Sequence, residues 1–154
     1  MQAKRTLGGK RIFLAHGTDN ENRDQLLRAL QSFGLDVVVL SREKVTGATT
    51  LIEKFERVAN TCNYAVALLT PDDKHFEDLN GDERYKARQN VLIELGWFMA
   101  HIGRENTFIV VVGDVDIPSD IVGIEVLMAG DSIAGSKDRL VQFFKSIARS
   151  EASA

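Results

Sequence analysis

Apolar residues along this 154-residue chain fall into two alternating kinds of segment. Short unbroken runs occur at Arg11–Ala15, Asp36–Leu40, Tyr64–Leu69 and Phe108–Val112. Their β-branched, uniformly apolar character is that of strands buried on both faces. Ile124–Met128 supplies a fifth run. Between them the spacing turns helical. Asn20–Phe33 sets Leu26, Leu27, Leu30 and Phe33 on one face, with Gly34 as the stop. Thr50–Glu53 fits a capping box opening a helix whose Ile52, Phe55 and Ala59 face inward. Ala87–Ile102 predicts a strongly apolar helix closed by Gly103, and Lys137–Ala148 a helix with Leu140, Val141, Phe144 and Ile147 on one stripe. Ser41–Thr49 reads as a polar loop and Thr70–Arg84, charged and holding Pro71, Asn80 and Gly81, as a surface loop.

Strand–helix alternation with apolar strands predicts an α/β fold: a five-stranded parallel sheet covered by helices on both faces. The expected order is the flavodoxin-like 2-1-3-4-5. The expected organisation is a lead-in over residues 1–10, one domain over 11–149 and a polar tail over 150–154. Such sheets bind ligands outside the carboxyl ends of their strands, between the first and third. That rule singles out His16–Asp19, Ser41–Thr49, Thr70–Asp73 and the helix start at Arg88.

Composition narrows the partners. The chain is 44% hydrophobic and 27% charged, with a net charge of −3, which argues against nucleic acid. One cysteine, Cys62, permits no internal disulfide and no multi-cysteine metal site, and its place before the third strand suits a buried small hydrophobe. Val91–Ile102 is twelve residues and includes Glu94, whereas a membrane span needs about twenty. The expectation is a cytoplasmic protein with no membrane partner and no metal. No dinucleotide fingerprint, P-loop, zinc-protease motif or nucleophile elbow is present.

Glu94 is the most informative position. It interrupts Val91–Met99, a stretch apolar nearly all round, and a carboxylate there is costly unless paired or open to a cavity. Asn90 and Trp97 lie one turn either side and share its face. This describes a carboxyl at the wall of an aromatic pocket, the setting that raises a carboxyl pKa. The structural alternatives are a buried Glu94 paired with Arg88 and a Glu94 on the helix's one exposed stripe. His16-Gly17-Thr18 follows the first strand, where glycine permits close backbone approach and a helix N-terminus offers N–H groups to an anion. Asp19 suits an N-cap. Arg88 suits a bidentate phosphate contact.

Five segments together resemble the bacterial TIR-like nucleotide-binding domains: Ile12–Gly17, Thr50–Glu56, Ala65–Asp73, Ala87–Phe98 and Ile117–Asp120. The Arg88-Gln-Asn-Val-Leu-Ile-Glu-Leu-Gly96 stretch with the Thr70-Pro-Asp-Asp73 loop is the most specific part. The resemblance implies a flavodoxin-like TIR fold and, in enzymatic members, cleavage of NAD+ at the nicotinamide–ribose bond, with NAD+ as substrate and no separate cofactor. It places the catalytic glutamate at Glu94, and it makes Ser41–Thr49 the loop that gates the site and mediates self-association. It also implies a fused or separate STING-like sensor and a role in anti-phage defence. Two other readings remain: a non-catalytic TIR self-association module, and a nucleoside deoxyribosyltransferase-like enzyme.

Overall fold

The computed structural model describes residues 9–40, 50–121 and 123–152. Its elements run β1 (Arg11–Ala15), α1 (Asn20–Ser32), β2 (Asp36–Val38), α2 (Leu51–Ala59), β3 (Tyr64–Leu69), β4 (Asp73–Glu77), β5 (Glu83–Lys86), α3 (Gln89–His101), β6 (Thr107–Val112), β7 (Glu125–Gly130) and α4 (Lys137–Ala152). The main sheet has the order β2-β1-β3-β6-β7, and every neighbouring pair is parallel. Counting only these strands, this is the expected 2-1-3-4-5. The Ser41–Thr49 loop lies outside the described residues.

Alternate side chains of the central strands feed two cores. Ile12, Leu14, Val66 and Val110 pack with Leu26 and Leu30 of α1 and Leu140 and Phe144 of α4. Phe13, Ala67 and Ile109 pack on the opposite face with Phe55 of α2 and Val91, Leu95 and Phe98 of α3. All residues of β3 and β6 are buried, as their unbroken apolar runs require.

Three expectations need correction. The second strand covers three residues rather than five, and Val37 and Val38 are only half-buried. It is an edge strand bonded to β1 alone, and its exposed Asp36 pairs with Arg11 at 2.9 Å. Ile52 does not face inward but is 60% exposed, because the first turn of α2 overhangs the core that Phe55 and Ala59 enter. The charged Thr70–Arg84 segment is not a plain loop. It contains the antiparallel β4–β5 hairpin, tied by a 3.0 Å Lys74–Glu83 ion pair and turned at Gly81, whose φ is +83°. Helix bounds shift slightly: α3 starts at Gln89 with Arg88 as its N-cap and ends at His101, and α4 continues to Ala152.

The capping box that opens α2 is complete. Thr50 Oγ1 accepts from the Glu53 N–H at 3.2 Å, and the Thr50 N–H donates to Glu53 Oε2 at 2.9 Å. Thr50→Ala is therefore expected to cost about 1 kcal/mol in a denaturant titration.

Candidate functional site

β3 stops where Pro71 lacks the N–H needed to continue the ladder. The Asp72 N–H donates back to the Thr70 carbonyl at 2.8 Å, folding the Asp72 side chain over the carboxyl end of the sheet. There it gathers three segments. Asp72 Oδ1 accepts from Thr18 Oγ1 (2.7 Å), the Thr18 N–H (3.3 Å) and Thr70 Oγ1 (2.7 Å). Asp72 Oδ2 accepts from the Arg88 N–H at the head of α3 (3.3 Å). The close approach expected at Gly17 is real, but this carboxylate makes it: a Cβ on Gly17 would stand 1.9 Å from Asp72 Oδ2.

In the sequence Asp72 stands out only as part of the Thr70-Pro-Asp-Asp73 motif, with no role of its own. Its identity as a hub depends on partners brought together by the fold. The hub also changes the electrostatics. The Thr18 and Arg88 N–H groups, which a ligand anion would otherwise find open, already hold the chain's own carboxylate. Asp19 caps α1 by accepting from the Asn22 N–H at 3.0 Å, as expected. His16 is half-buried and its Nδ1 donates to the Gly17 carbonyl at 2.9 Å, which puts the proton on Nδ1.

Glu94 is buried, 7% exposed, among the apolar residues of α3. Arg88 forms its ion pair with Asp73, at 3.5 Å. Asn90 is exposed one turn before Glu94. With Asp73, Lys74, Lys86, Arg88 and Gln89 it lines an open groove of about 390 Å³, in which three cations face one carboxylate. Trp97, one turn after Glu94, is half-buried; its ring meets Phe55 edge-on at 5.2 Å and stacks on His101 at 4.3 Å. Phe98 is buried in the core. Cys62 is buried as expected, and burial pushes its thiol pKa up.

The hairpin beside this groove is anchored by Asp116, from the link after β6. Asp116 pairs with Arg84 and with His75 Nδ1 at 3.2 Å, and its N–H donates to the Tyr85 carbonyl at 2.7 Å. The Arg84 hydrogen bond holds the Asp116 carboxyl below its ordinary pKa. A depressed folded-state pKa contributes stability above the unfolded value of about 3.9, lost as pH falls through the folded one. The anchor is thus expected to persist at pH 5 and to release only below about pH 4. Hydrogen exchange of the β4–β5 amides against pH checks this; protection lost already at pH 5 would contradict it.

A parallel sheet in this order, with the Asp72 hub over its carboxyl end and a charged groove at the head of α3, defines a flavodoxin-like domain. The particular family follows from comparison: the chain belongs to the family described as "CAP12/Pycsar effector protein, TIR domain", whose model matches residues 11–130. It is similar to Escherichia coli (strain K12) YuaY, 39% identical over 115 residues covering 75% of this chain and 38% of that protein. It is also similar to Dictyostelium discoideum tirC, 31% identical over 73% of this chain and 61% of that protein. The Pycsar effector protein PaPycTIR of Pseudomonas aeruginosa is 33% identical over 58% of this chain and 28% of that protein. The matched regions thus span between about a quarter and three fifths of these relatives' lengths. Among the described residues, no helix is long and apolar enough to cross a membrane.

Proposed function

We propose that this domain is an NAD+ nucleosidase, releasing nicotinamide and leaving ADP-ribose or a cyclic ADP-ribose, and that it serves as an effector in bacterial anti-phage defence. The observation that carries the reading is the burial of Glu94 in the most apolar described helix, whose head at Arg88 meets Asp72 at the carboxyl end of the sheet. Burying a carboxylate among apolar side chains is costly, and stabilising a cation that develops beside it is a use that repays the cost.

Nicotinamide leaves cationic NAD+ as a neutral base, so no general acid is needed. The ribose left behind carries developing positive charge, which a desolvated carboxylate stabilises more strongly than water does. Glu94 takes that role and orients the ribose hydroxyls; water then adds at C1′ and loses a proton to solvent to give ADP-ribose, or the adenine of the same molecule adds there to give the cyclic product. Arg88, with Lys74 and Lys86 in the same groove, supplies positive charge toward the diphosphate. His16, Gly17, Thr18, Asn90 and Trp97 form the remaining walls. Self-association through Ser41–Thr49 and a STING-like sensor, fused or separate, are the proposed means of activation, in the cytoplasm.

Concentrated protein incubated with NAD+, with and without a crowding agent, is expected to release nicotinamide stoichiometric with ADP-ribose or its cyclic form, read by chromatography. No release under either condition would overturn the proposal. Base exchange on deoxynucleosides with NAD+ untouched would put a deoxyribosyltransferase in its place.

A further inference from the structure

Two consecutive aspartates act on Arg88. Asp72 Oδ2 accepts from its main-chain N–H at 3.3 Å. Asp73, the first residue of β4, pairs with its guanidinium, Oδ1 to Nε at 3.5 Å. The two contacts differ in kind. Asp72 also holds Thr18 and Thr70, so it fixes where α3 begins. The Asp73 contact is longer than the about 2.7–2.9 Å of a charge-assisted hydrogen bond. Both of its side chains keep contact with water, at 36% exposure for Asp73 and 48% for Arg88. A pair of this kind is loose, worth a factor of about two to five in an equilibrium constant.

Where that carboxylate stands matters as much as its looseness. Asp73 faces Lys86 in the β4–β5 register, and both line the groove with Arg88. Lys86 forms no ion pair among the described residues, and Lys74 is taken by Glu83 from outside the groove lining. Asp73 is therefore the anion the groove itself supplies, and it sits on the arginine, the cation whose planar fork suits a phosphate best. Two anions on one guanidinium repel each other, so a phosphate that takes Arg88 must displace Asp73.

We propose, on the reading that this groove takes the diphosphate of NAD+, that Asp73 is an internal competitor for Arg88 and sets how tightly the groove holds that diphosphate. NAD+ and ADP-ribose carry the same diphosphate, so contacts to it strengthen substrate and product alike and do not lower the barrier between them. Excess affinity there would only delay departure of the product. A carboxylate that returns to Arg88 as the diphosphate leaves limits that excess and keeps the guanidinium in place between turnovers.

Calorimetric titration of the full chain with ADP-ribose, repeated with inorganic pyrophosphate at matched ionic strength, provides the test. Asp73→Asn keeps the side chain's shape and removes its charge. It is expected to bind both ligands about two- to fivefold more tightly than wild type, with unchanged circular dichroism. Arg88→Gln is expected to bind both more weakly. In the Arg88→Gln background no guanidinium is left to compete for, so adding Asp73→Asn should gain less than about 1.5-fold. An Asp73→Asn protein that binds no tighter than wild type, while Arg88→Gln binds more weakly, overturns the role of Asp73 and leaves the groove's assignment standing. An equal gain in both backgrounds marks plain charge repulsion and overturns the role as well. A wild type that binds neither ligand, or an Arg88→Gln protein that binds both like wild type, overturns the groove's assignment and Asp73's role together.

Discussion

Glu94→Gln is expected to abolish nicotinamide release from NAD+ while leaving the protein folded. Gln matches Glu in shape, so the buried side of α3 that holds Val91, Glu94, Leu95 and Phe98 keeps its volume and the negative charge is lost. A neutral amide cannot balance the charge that grows on ribose as the base leaves. Removing one such preorganised electrostatic partner costs about 10²–10³-fold in rate, and with no second carboxylate assigned to the step the loss should be at least that large. Binding of ADP-ribose should change much less, because the proposed site assigns the diphosphate to the groove cations and not to Glu94. The measurement is a rate of nicotinamide release beside a melting curve and an ADP-ribose titration. A folded Glu94→Gln protein that turns over NAD+ like wild type removes Glu94 from the reaction. Weakened ADP-ribose binding with kcat unchanged would reduce it to a binding role.

The sheet was legible in the sequence because strands buried on both faces write unbroken apolar runs, and the helices between them keep a 3.6-residue period. Two failures have different causes. Asp36–Leu40 reads as a fully buried strand, yet it forms the sheet edge, and composition does not reveal whether a strand has one neighbour or two. The hairpin was invisible because both its faces meet water, so Asp73–Glu77 shows no apolar alternation. Glu94 was legible as an anomaly, a charge where the pattern demands none. Asp72 was not. An aspartate beside a proline in a charged segment looks like any surface turn, and its partners Thr18 and Arg88 lie 54 and 16 residues away in the chain. The parallel pairing of β1 with β3 brings Thr18 to Asp72, and the start of α3 brings Arg88.

That hub sets up the second large effect, because Gly17 and Asp72 depend on each other. Asp72→Ala leaves the hydroxyls of Thr18 and Thr70 and two backbone N–H groups without their charged acceptor. Water replaces part of it at this half-buried position, so the expected cost is about 2 kcal/mol rather than the full sum. For a domain of this size that lowers Tm by about 5–8 °C. Gly17→Ala places a methyl group where Asp72 Oδ2 stands, and the 1.9 Å approach leaves only displacement of the carboxylate. It should therefore cost at least as much as Asp72→Ala, since it breaks the same hydrogen bonds and adds strain. The decisive quantity is the coupling. Once Asp72→Ala has removed the carboxylate, the three atoms nearest the Gly17 methyl are gone, and Gly17→Ala should then cost under about 0.5 kcal/mol. Denaturant melts of the two single variants and the double variant close the cycle. Strictly additive costs would mean that Gly17 is required for its backbone alone and that the Asp72 hub does not hold β1, β3 and α3 together.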